Sequence, residues 1–326
     1  MKKILLVFPQ GIGDFLNALD ALLIKIKYNK NIKLFFYVQY KAQYTIINFF
    51  FKRFQKEIFI KEQHGIWANL IYFSKLTFKN FDIVIIDPFI SATKTKFLIF
   101  FLRSRVFFSN YCSKKKKYIN YNYNNRYFTY NKISKNQLIT NIFDQNKKMS
   151  NNFGGIKKED ILGLGIGSGT LEKHKRWKAE KFSELLNHFN KDRYFANWKF
   201  VIYGFYNEEY KIYQTIKSFS SQKNLYFFSS NNYMKYFTNI SKLRLFISND
   251  TGFSHLSSLI NIKTIVIAGP TNPIYYKNNN FKKIIRSNIN CSPCYPELRF
   301  GCGNEKCLDG IDSKNVYLQA KKILNN

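Results

Sequence analysis

Asp250, Thr251, Gly252 and His255 crowd into the string Ser248-Asn249-Asp250-Thr251-Gly252-Phe253-Ser254-His255. An apolar run, residues 243–247, precedes them. Helix-like residues 256–260 and a second apolar run, 264–268, follow. The pattern is that of a strand ending in a polar, Gly-containing turn that opens a helix. A helix start presents backbone N–H groups with no intrahelical acceptor, so it is a natural seat for phosphate. A plainer reading stays open, in which Asp250 or Thr251 caps the helix and His255 packs beneath it.

Other strand ends carry comparable groups. Gly11-Ile12-Gly13-Asp14 closes the first apolar run, where open α/β sheets bind ligands. The dinucleotide fingerprint fails there, because position 16 is Leu16 rather than Gly. Asp14 is either an acid in a helix's first turn or a base. A helix N-terminus lowers a carboxylate's pKa, which weakens it as a base unless burial or another carboxylate opposes that shift. Residues 163–170, Gly-Leu-Gly-Ile-Gly-Ser-Gly-Thr, repeat the arrangement later in the chain, ending at Thr170 with Lys173, His174, Lys175, Arg176 and Trp177 behind. Glycines admit a ligand close to the backbone, and Lys or Arg neutralises phosphate. No Gly-Lys-Ser/Thr completes a P-loop, and a flexible basic loop is the alternative.

Gly204 and Glu208 flank a further strand end, where Glu208 would accept from ribose hydroxyls or cap the next helix. Gly269-Pro270-Thr271-Asn272-Pro273 makes a rigid turn. Cys291-x2-Cys294-x7-Cys302-x4-Cys307 raises the idea of zinc. The second pair is wide and the loop between pairs short, so reduced cysteines packing a loop are expected ahead of a structural metal.

Strands at 3–8, 34–38, 58–60, 83–86 and 106–108 and helices at 14–27, 44–54 and 93–102 would position the first group. Residues 118–152 turn Asn-, Tyr- and Lys-rich, with one helix expected at 135–144. That stretch ends the first domain, 1–152, and leaves 153–326 as the second. The second alternates strands at 161–166, 198–203, 225–228, 243–247 and 264–268 with helices at 179–189, 208–219 and 233–242. A C-terminal helix, 313–324, has no assigned place. Alternation of this kind predicts α/β architecture with parallel sheets, here two doubly wound, Rossmann-like domains facing across a cleft.

The formal net charge is +32, from 52 Lys+Arg against 20 Asp+Glu. It asks for a polyanionic partner: nucleic acid, an anionic membrane surface or an acidic substrate. Enrichment in Lys, Asn, Ile, Phe and Tyr also fits an AT-rich coding sequence, which accounts for part of it. Lys114–Lys117 is the dense basic run and reads as a solvated loop, and an aromatic RNA-binding signature is absent. No apolar run approaches the roughly 20 residues that cross a bilayer. Residues 3–9 resemble the start of a signal peptide, but no cleavage site follows, so a cytoplasmic location is expected.

Taken in order, these motifs resemble glycosyltransferase family 9, the lipopolysaccharide heptosyltransferase family. Gly13-Asp14 matches its opening, Lys175-Arg176-Trp177 its second-half loop, and residues 250–255 its Asp-Thr-Gly-x-x-His. Gly269-Pro270-Thr271-Asn272-Pro273 and Cys291-Ser292-Pro293-Cys294 match its later segments. Asp20 and Phe253 depart from its usual residues.

The resemblance implies a GT-B fold and inverting transfer of a sugar, heptose from ADP-heptose being the expectation, to the lipopolysaccharide or lipooligosaccharide core without a metal or other cofactor. Asp14 would be the base. Gly13, Thr170, Lys175, Glu208, Asp250, Thr251, Gly252 and His255 would bind the donor or its phosphates. The acceptor would be an anionic lipid-linked oligosaccharide, met at the cytoplasmic face of the inner membrane, with no nucleic acid involved. A basic nucleic-acid-binding protein and a GT-B epimerase are the rival classes.

Overall fold

Residues 2–8, Lys-Lys-Ile-Leu-Leu-Val-Phe, become fully buried from Ile4 onward, as a strand covered on both faces must be. In the computed structural model the described residues are 1–8, 11–21, 26, 28–60, 74–86, 97–98, 100–109, 118–120, 156–169, 172–272, 281–294 and 302–325. They fall in two units, Met1–Ser150 and Asn151–Asn326.

The first unit runs β1 (Lys2–Phe8), α1 (Ile12–Ala21), β2 (Ile32–Val38), α2 (Lys41–Phe50), β3 (Gln55–Ile60), β4 (Asn80–Ile86), β5 (Arg103–Ser109) and β6 (Tyr118–Asn120). Every pairing is parallel, in the order β3-β2-β1-β4-β5-β6. One face is covered by a cluster in which Leu5, Val7, Phe35, Phe81 and Val84 meet Leu76, Leu98 and Leu102.

The second unit runs β7 (Ile161–Gly165), a 3-10 turn (Lys173–Lys175), α3 (Ala179–Asn190), β8 (Lys199–Tyr203), α4 (Glu208–Phe219), β9 (Leu225–Phe228) and α5 (Tyr233–Ile240). Then come β10 (Leu245–Asn249), α6 (Gly252–Leu259), β11 (Thr264–Ile267), β12 (Lys282–Ile285), α7 (Lys306–Asp309) and α8 (Ser313–Asn325). Its parallel sheet is ordered β12-β11-β10-β7-β8-β9. Read from β9, this is the first unit's order again. Each is a doubly wound sheet whose strand order reverses once, between β1 and β4 and between β7 and β10, and ligands bind outside the carboxyl ends at such a reversal.

The structure corrects several boundaries. Helix α1 starts at Ile12, because Phe15 N–H donates to Gly11 O at 3.1 Å. Its described part runs to Ala21, and Ile26 lies in a β-bridge rather than in the same helix. Helix α6 begins at Gly252, four residues before the expected start. Strands β6 and β12 were not foreseen. Both are short edge strands, and Lys-Lys-Ile-Ile is half buried, so neither carries an apolar pattern. The helix expected at 135–144 lies outside the described residues.

The C-terminal helix finds its place on α3. Tyr317 packs edge-on against Phe189 at 5.3 Å between centroids. Its hydroxyl donates to Asp192 Oδ2 at 2.6 Å, and Lys321 Nζ joins the same oxygen at 2.7 Å.

Candidate functional site

Strand β10 is buried along its whole length, although it ends in two polar residues, Ser248 and Asn249. Buried polar groups need partners, and theirs build the corner. Asn249 Nδ2 donates to Ile166 O at 2.7 Å, and its Oδ1 accepts Trp177 N–H at 3.0 Å. One side chain thus fixes both ends of the loop after β7 to the end of β10. Ser248 Oγ donates to Asn249 O at 2.7 Å. Across the register from Ser248 stands Gly165; a Cβ there would lie 2.4 Å from Ser248 Oγ. Glycine is required at that position by a close approach rather than by a turn.

Thr251 is the N-cap of α6. Its backbone is extended, and its hydroxyl accepts Phe253 N–H at 3.2 Å. As the first helical residue, Gly252 has no carbonyl a turn behind to receive its N–H. The helix therefore opens on a free donor direction at the strand reversal, between the loops that follow β7 and β10.

Behind the helix start lies a buried charge network. Asp250 Oδ2 accepts the Thr271 hydroxyl at 2.6 Å and sits 3.5 Å from Lys175 Nζ. Asp250 Oδ1 lies 3.8 Å from His255 Nε2. Lys175 also pairs with Glu172 at 3.3 Å. On the far side of the imidazole, Lys282 Nζ is 3.1 Å from His255 Nδ1. An ammonium only donates, so Nδ1 accepts and the ring proton of a neutral His255 sits on Nε2, towards Asp250. Both plain alternatives for this motif hold: Thr251 caps the helix, and His255 is buried.

A second polar group joins the basic loop to the start of α4. Glu208 accepts from Lys173 Nζ at 2.6 Å and from Arg176 Nη1 at 2.9 Å. These two cations, Lys173 first, hold its carboxyl below the usual range. Arg176 Nε donates to Ser168 Oγ at 2.9 Å. Capping of α4 is not the role of Glu208: the N-cap is Asn207, and no side chain caps that helix. Burial, followed by the neighbouring Lys175 charge, lowers the His174 pKa.

The remaining sequence-predicted residues divide as follows. Gly13 and Asp14 occupy the first turn of α1, at the carboxyl end of β1; the Asp14 side chain and Thr170 lie outside the described set. Lys175, expected to meet phosphate, is buried in ion pairs with Glu172 and Asp250. Asp250, Thr251, Gly252 and His255 come together with it.

Sequence reasoning left Asn249, Thr271 and Lys282 unassigned. A polar residue closing an apolar strand was the available signal for Asn249, and Thr271 stood inside a recognised turn. Lys282 gave none. The four cysteines are free thiols, Cys307 buried and Cys291 and Cys302 exposed. Burial, then the nearby Cys294, Cys291 and Cys302, push the Cys307 thiol up. Among the described residues no three His, Cys, Asp or Glu are grouped to hold a metal. The Cys-x-Pro-Cys loop is pinned to the Gly269-Pro270 turn by Ser292 Oγ to Gly269 O at 2.7 Å and Cys294 N–H to Pro270 O at 3.0 Å.

The chain is 28% identical over 172 residues to lipooligosaccharide heptosyltransferase 2 of Campylobacter jejuni serotype O:2, covering 51% of each. It is 27% identical over 169 residues to the protein of the same name from serotype O:6. The chain thus spans about half the length of the curated relatives it matches.

Among solved structures, E. coli heptosyltransferase WaaC with ADP superposes with a TM-score of 0.71 at 13% identity, over 98% of this chain and 99% of that one. A family 9 glycosyl transferase from Veillonella parvula gives 0.74 at 16%, over 99% and 97%. At such identities the likeness is one of fold, α/β of the GT-B type. The family model of glycosyltransferase family 9 (heptosyltransferase) matches residues 112–306, well over half of the sequence, and the chain belongs to that family.

Proposed function

We propose that the protein is an inverting glycosyltransferase that moves heptose from ADP-heptose onto the core of lipopolysaccharide or lipooligosaccharide. The observation that carries this reading is the helix start at Thr251–Gly252, set at a strand reversal with Lys175, Asp250 and His255 locked behind it. A leaving diphosphate gains charge as the anomeric C–O bond breaks, and preorganised N–H donors with a nearby cation stabilise that charge.

In this reading the acceptor hydroxyl attacks the anomeric carbon and gives its proton to the Asp14 carboxylate, while ADP departs with the bonding electrons. The amides of Thr251 and Gly252 take the diphosphate. Lys175 reaches it by exchanging Glu172 for a phosphate oxygen, and Thr170 closes the loop beside it. Asp250 positions Lys175 and His255 instead of touching phosphate, which it would repel. His255 supports the corner through Asp250. Glu208, held by Lys173 and Arg176, keeps lone pairs for donor hydroxyls, and Gly13 lets the donor come close to the backbone beside Asp14.

The reading uses no metal, although the solved heptosyltransferase TibC is described as iron-containing. The first unit takes the acceptor, an anionic lipid-linked oligosaccharide at the cytoplasmic face of the inner membrane. No helix among the described residues is long and apolar enough to cross a membrane.

Thermal shift against ADP, UDP, GDP, CDP and short duplex DNA tests the donor site. Stabilisation by ADP above the others, with chelator making no difference, is expected. Stabilisation by DNA alone would overturn the reading. With a heptose donor, turnover should need acceptor and fall about 10²-fold or more in Asp14→Asn. Donor consumption without acceptor would identify an epimerase instead.

A further inference from the structure

Six phenylalanines are exposed among the described residues, and four of them precede two neighbouring strands: Phe78 at 84%, Phe100 at 78%, Phe97 at 50% and Phe101 at 42%. They belong to two helical segments that enter neighbouring strands. Residues 74–77 are helical and lead through Phe78 into β4. Residues 97, 98, 100 and 101 are helical and lead into β5. Asn80 pairs with Arg103 in the sheet, so Phe78 and Phe101 each stand two residues before a matched pair. The inner sides of both segments, Leu76, Leu98 and Leu102, join one core cluster. Their outer sides therefore share one side of the unit.

Three of the rings, Phe97, Phe100 and Phe101, form a continuous surface. Phe97 and Phe101 lie 4.5 Å apart between centroids, and Phe100 and Phe101 5.0 Å apart. Helical spacing explains this, since positions 97, 100 and 101 fall on one stripe while 98 and 102 fall on another. Contiguous exposed apolar surface marks a binding site.

Charge decides what binds. From Pro88 to Phe143 the sequence carries eleven Lys and Arg and no Asp or Glu. In sequence the aromatic stripe stands near the start of this acid-free stretch, after Lys94 and Lys96 and before Arg103, which is exposed. An aromatic stripe flanked by cations lies in the headgroup region of an anionic bilayer, rings inward and charges at the phosphates.

We infer that the outer face formed by Phe78, Phe97, Phe100 and Phe101 docks this protein on an anionic lipid surface. Duplex nucleic acid, its bases already stacked, would use the charge but leave the rings unsatisfied, and a second copy would have to place its own matching cations against these. The inference gives a location to the membrane contact proposed above and rests on that reading only for the acceptor's being lipid-linked. Its test needs no turnover, so the two fail separately.

The test is flotation of the full chain with vesicles of phosphatidylcholine alone and with phosphatidylglycerol added. Binding to the anionic vesicles is expected. The double variant Phe97→Ser/Phe100→Ser should lower partitioning about tenfold or more, and Arg103→Gln by about fivefold with anionic lipid only. Phe219→Ser, which removes an exposed ring in the second unit, should change nothing. Three results would overturn the inference: equal binding to both vesicle types, unchanged partitioning of the double variant, or short duplex DNA displacing the protein from vesicles at equal charge. A loss of self-association in the double variant, with vesicle binding intact, would assign the face to a second copy instead.

Discussion

Thr271 donates its hydroxyl proton to Asp250 Oδ2 at 2.6 Å, joining the turn after β11 to the helix start after β10. Both residues are buried. Asp250 in turn sets the positions of Lys175 and His255, so this hydroxyl governs a network it touches at one point.

Thr271→Val keeps the shape and removes the donor. Leaving a buried carboxylate oxygen short of a partner costs about 1–3 kcal/mol. Urea denaturation should show that loss, together with weaker ADP binding by titration calorimetry, while Thr271→Ser keeps both. An unchanged midpoint in Thr271→Val would show that the bond contributes nothing.

Gly165→Ala should be poorly tolerated, because its Cβ would meet Ser248 Oγ at 2.4 Å and Ser248 Cβ at 2.9 Å. Overpacking of this kind costs about 1–3 kcal/mol. Ser248→Gly removes both contacts, leaving Phe246 Cζ at 3.0 Å. The double variant should therefore be more stable than the sum of the single effects allows. Strict additivity in thermal melts would refute the contact.

Asp192 is held down to about 2 from 3.8, first by its bond to Lys321, then by the Tyr317 hydroxyl and the Tyr194 N–H. A depressed carboxylate stabilises the fold fully above its unfolded pKa and loses that contribution as pH falls through its folded pKa. The cluster lies near the surface, so screening leaves about 1 kcal/mol. Asp192→Asn should cost that much at pH 7 and about half of it at pH 3. A constant difference across that range, measured by denaturant titration, would contradict the assignment.

Much of the second unit was legible in the sequence. Residues 208–219 and 225–228 are found as expected, since each carries an unbroken period bounded by turn residues. The candidate corner was legible as motifs, but its wiring was not. Glu208 read as a cap or a ribose ligand, because sequence could not show Lys173 and Arg176 folding back onto it. Lys282 is 27 residues from His255 and lies on an edge strand without an apolar pattern, so nothing local announced it. Long-range partners of this kind are chosen by topology, which here places β12 beside β11 and so brings Lys282 to the imidazole.

The strand order of the first unit also bears on how the chain is made. β1 leaves the ribosome before the other strands of its unit, yet it occupies the middle of its sheet. One edge can pair with β2 early; the other must wait for β4, with Lys3 and Asp82 79 residues apart at the junction. At the usual 5–20 residues per second that is a delay of about 4–16 s. Through that interval a strand of Ile, Leu, Val and Phe presents an open edge, so the nascent chain is most vulnerable to wrong pairing before its fourth strand is synthesised.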